Sequence, residues 1–203
     1  MQKIYDNIIL SGSLSIDRIM NFGGRYKDLI QADKLHVLSL SVLIDELTNS
    51  RGGTAANIAY NMALLGERPI VLGSLGADAS DYLSSMTELG INTEHIHVSE
   101  APTATFTVLT DSEDNQIGGF FPGAMADISM LTLELWHNTK SLVVISANDP
   151  LGMDQLVNEC IEHKLDYAYD VGQQVTNITV EQMKLGVEHA KLLMVNDYEL
   201  GAI

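Results

Sequence analysis

Short apolar runs alternate along the chain with segments whose apolar residues recur every three to four positions. Asn7-Ile8-Ile9-Leu10, closed by Ser11-Gly12-Ser13, reads as a strand leading into a loop. Ala55, Ile58, Ala59, Met62 and Ala63 mark one face of a helix over Thr54 to Leu65, with Gly66 as its stop. Ile70 to Gly73 reads as a strand, and Ser80 to Leu89, ended by Gly90, as a second helix. Leu142 to Ile145 is a continuous apolar run suited to a strand covered on both faces. Asp149-Pro150 then caps and starts a helix with Met153, Leu156, Val157, Cys160 and Ile161 on one stripe. A strand at Tyr167 to Val171, a helix at Val180 to Ala190 and a strand at Lys191 to Val195 complete the series. Strands separated by helices of this length imply a mostly parallel sheet with right-handed crossovers and helices on both faces. Ligands gather at the carboxyl ends of such strands, which selects Ser11 to Asp17, Asn148-Asp149, Asp170 to Gln174 and Asn196 to Glu199 as loops of interest.

One region breaks the rhythm. Thr103, Thr105 and Thr107 alternate with Ala104, Phe106 and Val108, and after Asp111 to Asn115 a second strand runs from Gln116 to Phe121, so the segment reads as a β-hairpin. Residues 35 to 48, apolar with serine punctuation and without a helical period, are assigned to the same small sheet. Together these insertions suggest a lid, with segments near 14–50 and 101–125.

Composition narrows the class. A chain of 203 residues, 46% hydrophobic and 19% charged, can bury the core of one main domain with a small appendage. Eleven Lys+Arg against 27 Asp+Glu give a net charge of -16, which repels phosphate backbones and anionic membranes; nucleic acid is excluded as a main partner. No apolar run approaches the ~20 residues of a membrane span. A single cysteine allows no internal disulfide, and Met1 to Asp6 lacks a secretory signal pattern, so the expected compartment is the cytoplasm. Cys160 falls on a buried helical stripe and reads as core.

The familiar nucleotide motifs are missing: neither a P-loop nor G-x-G-x-x-G occurs. Asp111 to Asn115 resembles a calcium loop, but Gln116 and Pro122 stand where glycine and glutamate are needed, and it reads as a solvated turn. His95 and His97 could share a strand face, yet no third ligand accompanies them and no metal site is assigned. Asp17 could accept hydrogen bonds from two vicinal sugar hydroxyls, or serve only as a turn or capping aspartate. Gly52 and Gly53 allow backbone to approach a ligand beside free helix amides, or form only a tight turn. Asn57, in the first helical turn, can donate and accept toward a polyhydroxyl ligand, or simply face solvent. Three of four phenylalanines, Phe106, Phe120 and Phe121, fall in the hairpin, where they could close on a planar base or form a small core. Gln173-Gln174 and Asn196-Asp197-Tyr198-Glu199 place amides and carboxylates at the expected ligand edge.

Gly52-Gly53-Thr-Ala-Ala-Asn57-Ile-Ala59, then Gly66, then Leu72-Gly73-Ser-Leu-Gly76-Ala-Asp78 resembles the amino-terminal signature of the PfkB, or ribokinase-like, carbohydrate kinases. Gly12 to Asp17, Phe120 to Met125, Asp170 to Gln174 and Asn196 to Glu199 look like its bacterial adenosine kinase branch. The resemblance covers essentially the whole chain. It implies an α/β fold, a mostly parallel sheet flanked by helices with a small β-sheet lid, and phosphoryl transfer from ATP, with Mg2+, to the 5′-hydroxyl of a purine ribonucleoside such as adenosine. Asp17 would hold the ribose hydroxyls, Gly52, Gly53 and Asn57 would complete the sugar contacts, and Ser13 and Ser41 would line the pocket. Phe106 and Phe120 would sandwich the base, with Phe121 the competing ring, while Gln173 and Gln174 approach the base and Asn196 and Glu199 lie near phosphate and magnesium. The lid offers a surface through which two copies could pair.

The sequence departs from the family pattern in stopping at Ile203, before the G-A-G-D element that would supply the anion hole and general base. The resemblance therefore implies the amino-terminal part of a kinase, truncated at the C-terminus, with no catalytic base in this chain and little activity alone. Two other readings compete: a sugar kinase of the ribokinase or fructokinase type, which gains little from paired aromatic rings, and a non-catalytic nucleoside-binding module.

Overall fold

The computed structural model describes residues 3–127 and 130–203. Six strands, β1 (Asn7–Ser11), β4 (Ile70–Gly76), β5 (Ile96–Ser99), β8 (Ser141–Ile145), β9 (Asp166–Tyr169) and β10 (Leu192–Leu193), form one sheet in the order β10-β9-β8-β1-β4-β5. Every pairing in it is parallel. A second, mixed sheet has the order β3-β2-β6-β7 and is built from β2 (Ser15–Asn21), β3 (Glu46–Gly52), β6 (Ala104–Thr110) and β7 (Gln116–Phe121). The α-helices are α1 (Tyr26–Leu29), α2 (Thr54–Leu64), α3 (Ser80–Glu88), α4 (Pro150–His163), α5 (Val180–Glu188) and α6 (Asp197–Ala202). The expected α/β class is correct: a parallel central sheet with apolar clusters on two faces and a small second sheet.

The period of two along β1 divides the core. Ile9 joins Val143, Ile145, Met153, Leu156, Cys160 and Tyr167 in one cluster on the α4 side. Leu10 points the other way, into Ala55, Ala59, Val71, Tyr82 and Met86 on the α2 and α3 side. Both residues are fully buried, and at about 25 cal/mol per Å2 of apolar surface each contributes roughly 2 kcal/mol of burial. The α4 helix begins as its sequence dictates, with Asp149 accepting from the Leu151 amide at 2.9 Å and Pro150 in the first turn. Cys160 lies within the first cluster, where burial pushes its thiol pKa up.

Thr103 and Asp78 link the two sheets. Thr103, just before β6, donates its amide (2.9 Å) and hydroxyl (2.7 Å) to the Asp78 carboxylate, while the Gly76 amide at the end of β4 donates to the Thr103 hydroxyl at 2.9 Å. The Thr103 hydroxyl bond holds the Asp78 carboxyl below its ordinary pKa despite partial desolvation. At the far end of the small sheet, the Asp111 carboxylate accepts from the amides of Tyr26, Glu113 and Asn115, each at 2.9 Å. Burial opposes ionisation there, but these bonds prevail and hold its pKa at about 2. The acidic turn is thus a closing knot of the hairpin.

Several expectations need correction. Of residues 35–48 only 46–48 belong to the small sheet, as the start of the strand Glu46–Gly52, while Ala32–Val37 is a 3-10 turn. Asp17 is in the middle of β2 instead of a loop after β1. Of Lys191–Val195 only Leu192–Leu193 pairs as a strand, and Glu199 lies in the first turn of α6. His95 and His97, to which no metal site is assigned, each have a partner of their own: His95 packs edge-on against Trp136 at 4.8 Å, and His97 approaches Asp127 at 3.7 Å.

Candidate nucleoside site

The register of the small sheet assembles the site. Asp17 pairs with Ser50 on one side and Phe106 on the other, and Phe106 pairs with Phe120. Directly paired residues project from the same face, so Ser50, Asp17, Phe106 and Phe120 form one rung across all four strands. The neighbouring rung, Arg51, Ile16, Thr105 and Phe121, projects oppositely. Pairing therefore separates the two adjacent phenylalanines and gives Phe120 the face of Asp17. Gly118 leaves room for the aromatic wall, since a Cβ there would come within 3.1 Å of Phe106 Cε2.

The Asp17 carboxylate rests directly on Gly52, where any Cβ would stand 2.1 Å from Asp17 Oδ1. Gly53 follows with φ of +95°, and its Cβ would meet the Ser13 carbonyl oxygen at 2.3 Å; only glycine fits this turn into α2. Burial raises the Asp17 pKa, partly opposed by the Ser15 hydroxyl donating at 3.4 Å. That is the one hydrogen bond the carboxylate accepts among the described residues. Asn57 is exposed and its amide group has no hydrogen-bond partner there either, while Phe106 and Phe120 are 37% and 48% exposed. These groups retain their capacity to bind something else.

Other expected site residues are engaged internally. The Ser13 hydroxyl accepts from the Thr54 amide at 3.0 Å and the Ser13 carbonyl from the Ala55 amide at 3.2 Å, so two of the helix amides expected to be free are occupied. Ser41 is exposed in the connection ahead of β3 and is not part of the rung. Gln173 is exposed in the 3-10 turn Gly172–Thr176, and the Gln174 amide oxygen accepts from Asn177 at 2.9 Å. Asn196 and Glu199 form a reciprocal cap on α6: Asn196 Oδ1 accepts from the Glu199 amide at 2.9 Å, and Glu199 Oε2 from the Asn196 amide at 3.0 Å.

Ser50 and Tyr82 are not among the sequence candidates, and Asp170 enters there only as the start of a loop of interest. Ser50 completes the rung. Tyr82, on α3, donates to the Gly52 carbonyl at 2.6 Å. Asp170, at the carboxyl end of β9, accepts from Ser146 at 2.7 Å, and its pKa is raised by burial, opposed by that hydroxyl and reinforced by the negative charge of Glu199. A rung carrying a carboxylate with spare acceptor capacity beside two aromatic rings can bind a polyol attached to a flat, apolar group.

Residues 15–203 match the model of the pfkB family carbohydrate kinases. The nucleoside kinase of Methanocaldococcus jannaschii is 25% identical over 197 residues, which span 96% of this chain and 61% of that protein. The structure of the Burkholderia thailandensis nucleoside kinase in complex with inosine is 30% identical, with a TM-score of 0.78 over 96% of this chain and 62% of that one. The same enzyme in complex with ADP-inosine gives 32% and 0.73, over 96% and 61%. The chain spans less than two thirds of the length of each of these relatives.

Proposed function

The chain belongs to the pfkB family of carbohydrate kinases, and from that premise we propose that it supplies the nucleoside-holding part of an enzyme that phosphorylates the 5′-hydroxyl of a purine ribonucleoside, adenosine first among them. The observation that carries this reading is the rung on which Asp17 stands between Ser50 and the Phe106–Phe120 pair. An ionised Asp17, for which Gly52 leaves the space, accepts hydrogen bonds from the 2′- and 3′-hydroxyls. The two rings take the base and exclude water from it. Fixing ribose and base together orients the 5′-hydroxyl, which is the main contribution these residues make to rate. A sugar kinase would use Asp17 but leave the aromatic pair without a ligand. The structures of the Burkholderia thailandensis relative in complex with inosine and with ADP-inosine support both a nucleoside acceptor and an ATP donor.

ATP supplies the phosphoryl group when bound, with Mg2+ neutralising its developing charge. Asp170 and Glu199 are oxygen donors of the kind Mg2+ takes, and one or two carboxylates completed by phosphate and water is its common arrangement. The small sheet, near 14–50 and 101–125, acts in this reading as a lid over a cytoplasmic enzyme's substrate. Its opposite face carries the apolar rung Leu47, Met20, Leu109 and Ile117, through which two copies would pair. No residue of this chain is assigned as the general base, so a module that binds without turnover is the second reading, favoured by the mutual engagement of Asn196 and Glu199.

Calorimetry of the 203-residue chain with adenosine and inosine, using ribose and Asp17→Ala as controls, tests the reading. Saturable nucleoside binding, weak ribose binding and loss of affinity in Asp17→Ala are expected. Tighter binding of ribose than of either nucleoside, or no nucleoside binding by the folded chain, would overturn it.

A further inference from the structure

Every residue of β3 except Gly52 is exposed, so the strand meets the body of the molecule at its last two positions. Gly52 is held there by Tyr82, a residue 6% exposed whose hydroxyl donates to the Gly52 carbonyl at 2.6 Å. One helical turn on, Ser85 donates to the Tyr82 carbonyl at 2.7 Å and accepts from Arg51 Nη1 at 2.9 Å. The Arg51 guanidinium also lies 5.6 Å from the centre of the Tyr60 ring on α2. Two consecutive residues of β3 are thus tied to α3 and α2. Burial raises the Tyr82 pKa; the charge of Arg51 opposes the rise and that of Asp17 adds to it, which places the ring in the electrostatic reach of both.

Resting on the nucleoside reading of the rung, we propose that Tyr82 is a positioning residue for ribose recognition. It fixes the Gly52 peptide on which the Asp17 carboxylate lies, and Arg51 and Ser85 steady the same joint. The phenol touches no substrate. Its effect passes through one carbonyl to the backbone and from there to a carboxylate that has no other firm anchor. A buried hydroxyl does require some partner, but a partner chosen only for satisfaction would leave ribose selectivity unaffected when removed. A positioning bond would not.

The test compares adenosine with 2′-deoxyadenosine by calorimetry on the full 203-residue chain, with circular dichroism as the check on folding. The wild-type chain is expected to prefer adenosine, because Asp17 reaches both vicinal hydroxyls. Tyr82→Phe keeps the ring and removes the bond; it is expected to reduce adenosine affinity about tenfold, the scale of one hydrogen bond. Binding of 2′-deoxyadenosine, held more by stacking, should change by less than about twofold, so that the preference collapses. Should Tyr82→Phe not fold, Ser85→Ala is read in its place and is expected to reduce the preference in the same direction. An equal loss for both nucleosides, or an unchanged preference in the folded variant, overturns the positioning role while leaving the nucleoside site intact. Absence of binding by the folded wild-type chain overturns the nucleoside reading, and the role of Tyr82 falls with it.

Discussion

The small-sheet rung and the carboxyl edge of the large sheet carry similar side chains in opposite conditions. On the rung, Asp17 accepts one long hydrogen bond, and the two phenylalanines lie partly open. At the edge, Asn196 and Glu199 satisfy one another and the first turn of α6, and Gln174 is bonded to Asn177. The polar atoms of the edge complete local structure; those of the rung complete little. Residue type alone ranks the two regions equally, whereas hydrogen-bond capacity left over after folding separates them. The same contrast divides Ser13 from Asn57: one closes the turn into α2, and the other, the fourth residue of that helix, is exposed with no side-chain hydrogen bond among the described residues.

The strongest way to break this comparison is to remove the rung's charge. Asp17→Asn keeps the shape but not the acceptor pair, and the loss of charge-assisted bonds is expected to weaken adenosine binding by about a hundredfold. Acid should do the same to the unaltered chain. Because burial raises the Asp17 pKa, affinity should begin to fall at a pH above that of an ordinary aspartate as the carboxyl takes up a proton. Stability runs the other way at this residue. The folded state binds that proton more tightly than the unfolded chain, so Asp17 destabilises the fold as pH rises through its raised pKa, and acid relieves it. Asp78 and Asp111, with lowered pKa values, contribute stability above the unfolded aspartate pKa that is lost as pH falls through their folded ones. Calorimetric affinity and unfolding midpoint measured across the same pH series should therefore separate, affinity failing first. A parallel decline would place the binding loss in general unfolding.

A smaller effect tests the face assignment. Replacing Phe106 or Phe120 by Ala should cost adenosine affinity about 1 to 3 kcal/mol, by analogy with base stacking on aromatic side chains. Phe121→Ala removes an equally large ring from the opposite rung and should change affinity by less than about 0.5 kcal/mol. Equal losses at positions 120 and 121 would contradict the register that separates them.

Much of the large sheet was legible because its strands and helices each bury a periodic stripe: the sequence pattern and the core are the same fact. The small sheet was harder. Glu46 to Gly52 is polar and exposed up to its last residue, and Ser15 to Asn21 mixes apolar and charged residues at intermediate burial, so their strand character comes from pairing and leaves little alternation to read. The apolar run ahead of Glu46, of a composition that suggests a strand, contains Leu35, Val37, Leu38 and Leu43, all exposed. Asp17, Gly52 and Asn57 stood out through their motif, and the structure brings Asp17 onto Gly52. The separation of Phe120 from Phe121 depended on pairing between β2, β6 and β7, which one sequence does not display. Tyr82 carried no signal beyond sharing a buried helical face with Met86.

The mildest prediction tests the other half of the comparison. If Asn196 and Glu199 act on α6 as a cap, Asn196→Ala removes the acceptor for the Glu199 amide and should lower stability by about 1 kcal/mol, read as a fall in the denaturant midpoint. Adenosine affinity should stay within twofold, since the ribose and base are held on another sheet. Asn196→Asp retains a capping oxygen and should recover most of the stability while adding negative charge beside Glu199 and Asp170. Its cost should therefore shrink as salt screens the carboxylates, in a way that the cost of Asn196→Ala does not. A large loss of adenosine affinity in Asn196→Ala, with the fold intact, would show that the edge reaches the nucleoside and that hydrogen-bond satisfaction in the unliganded chain does not distinguish the two regions.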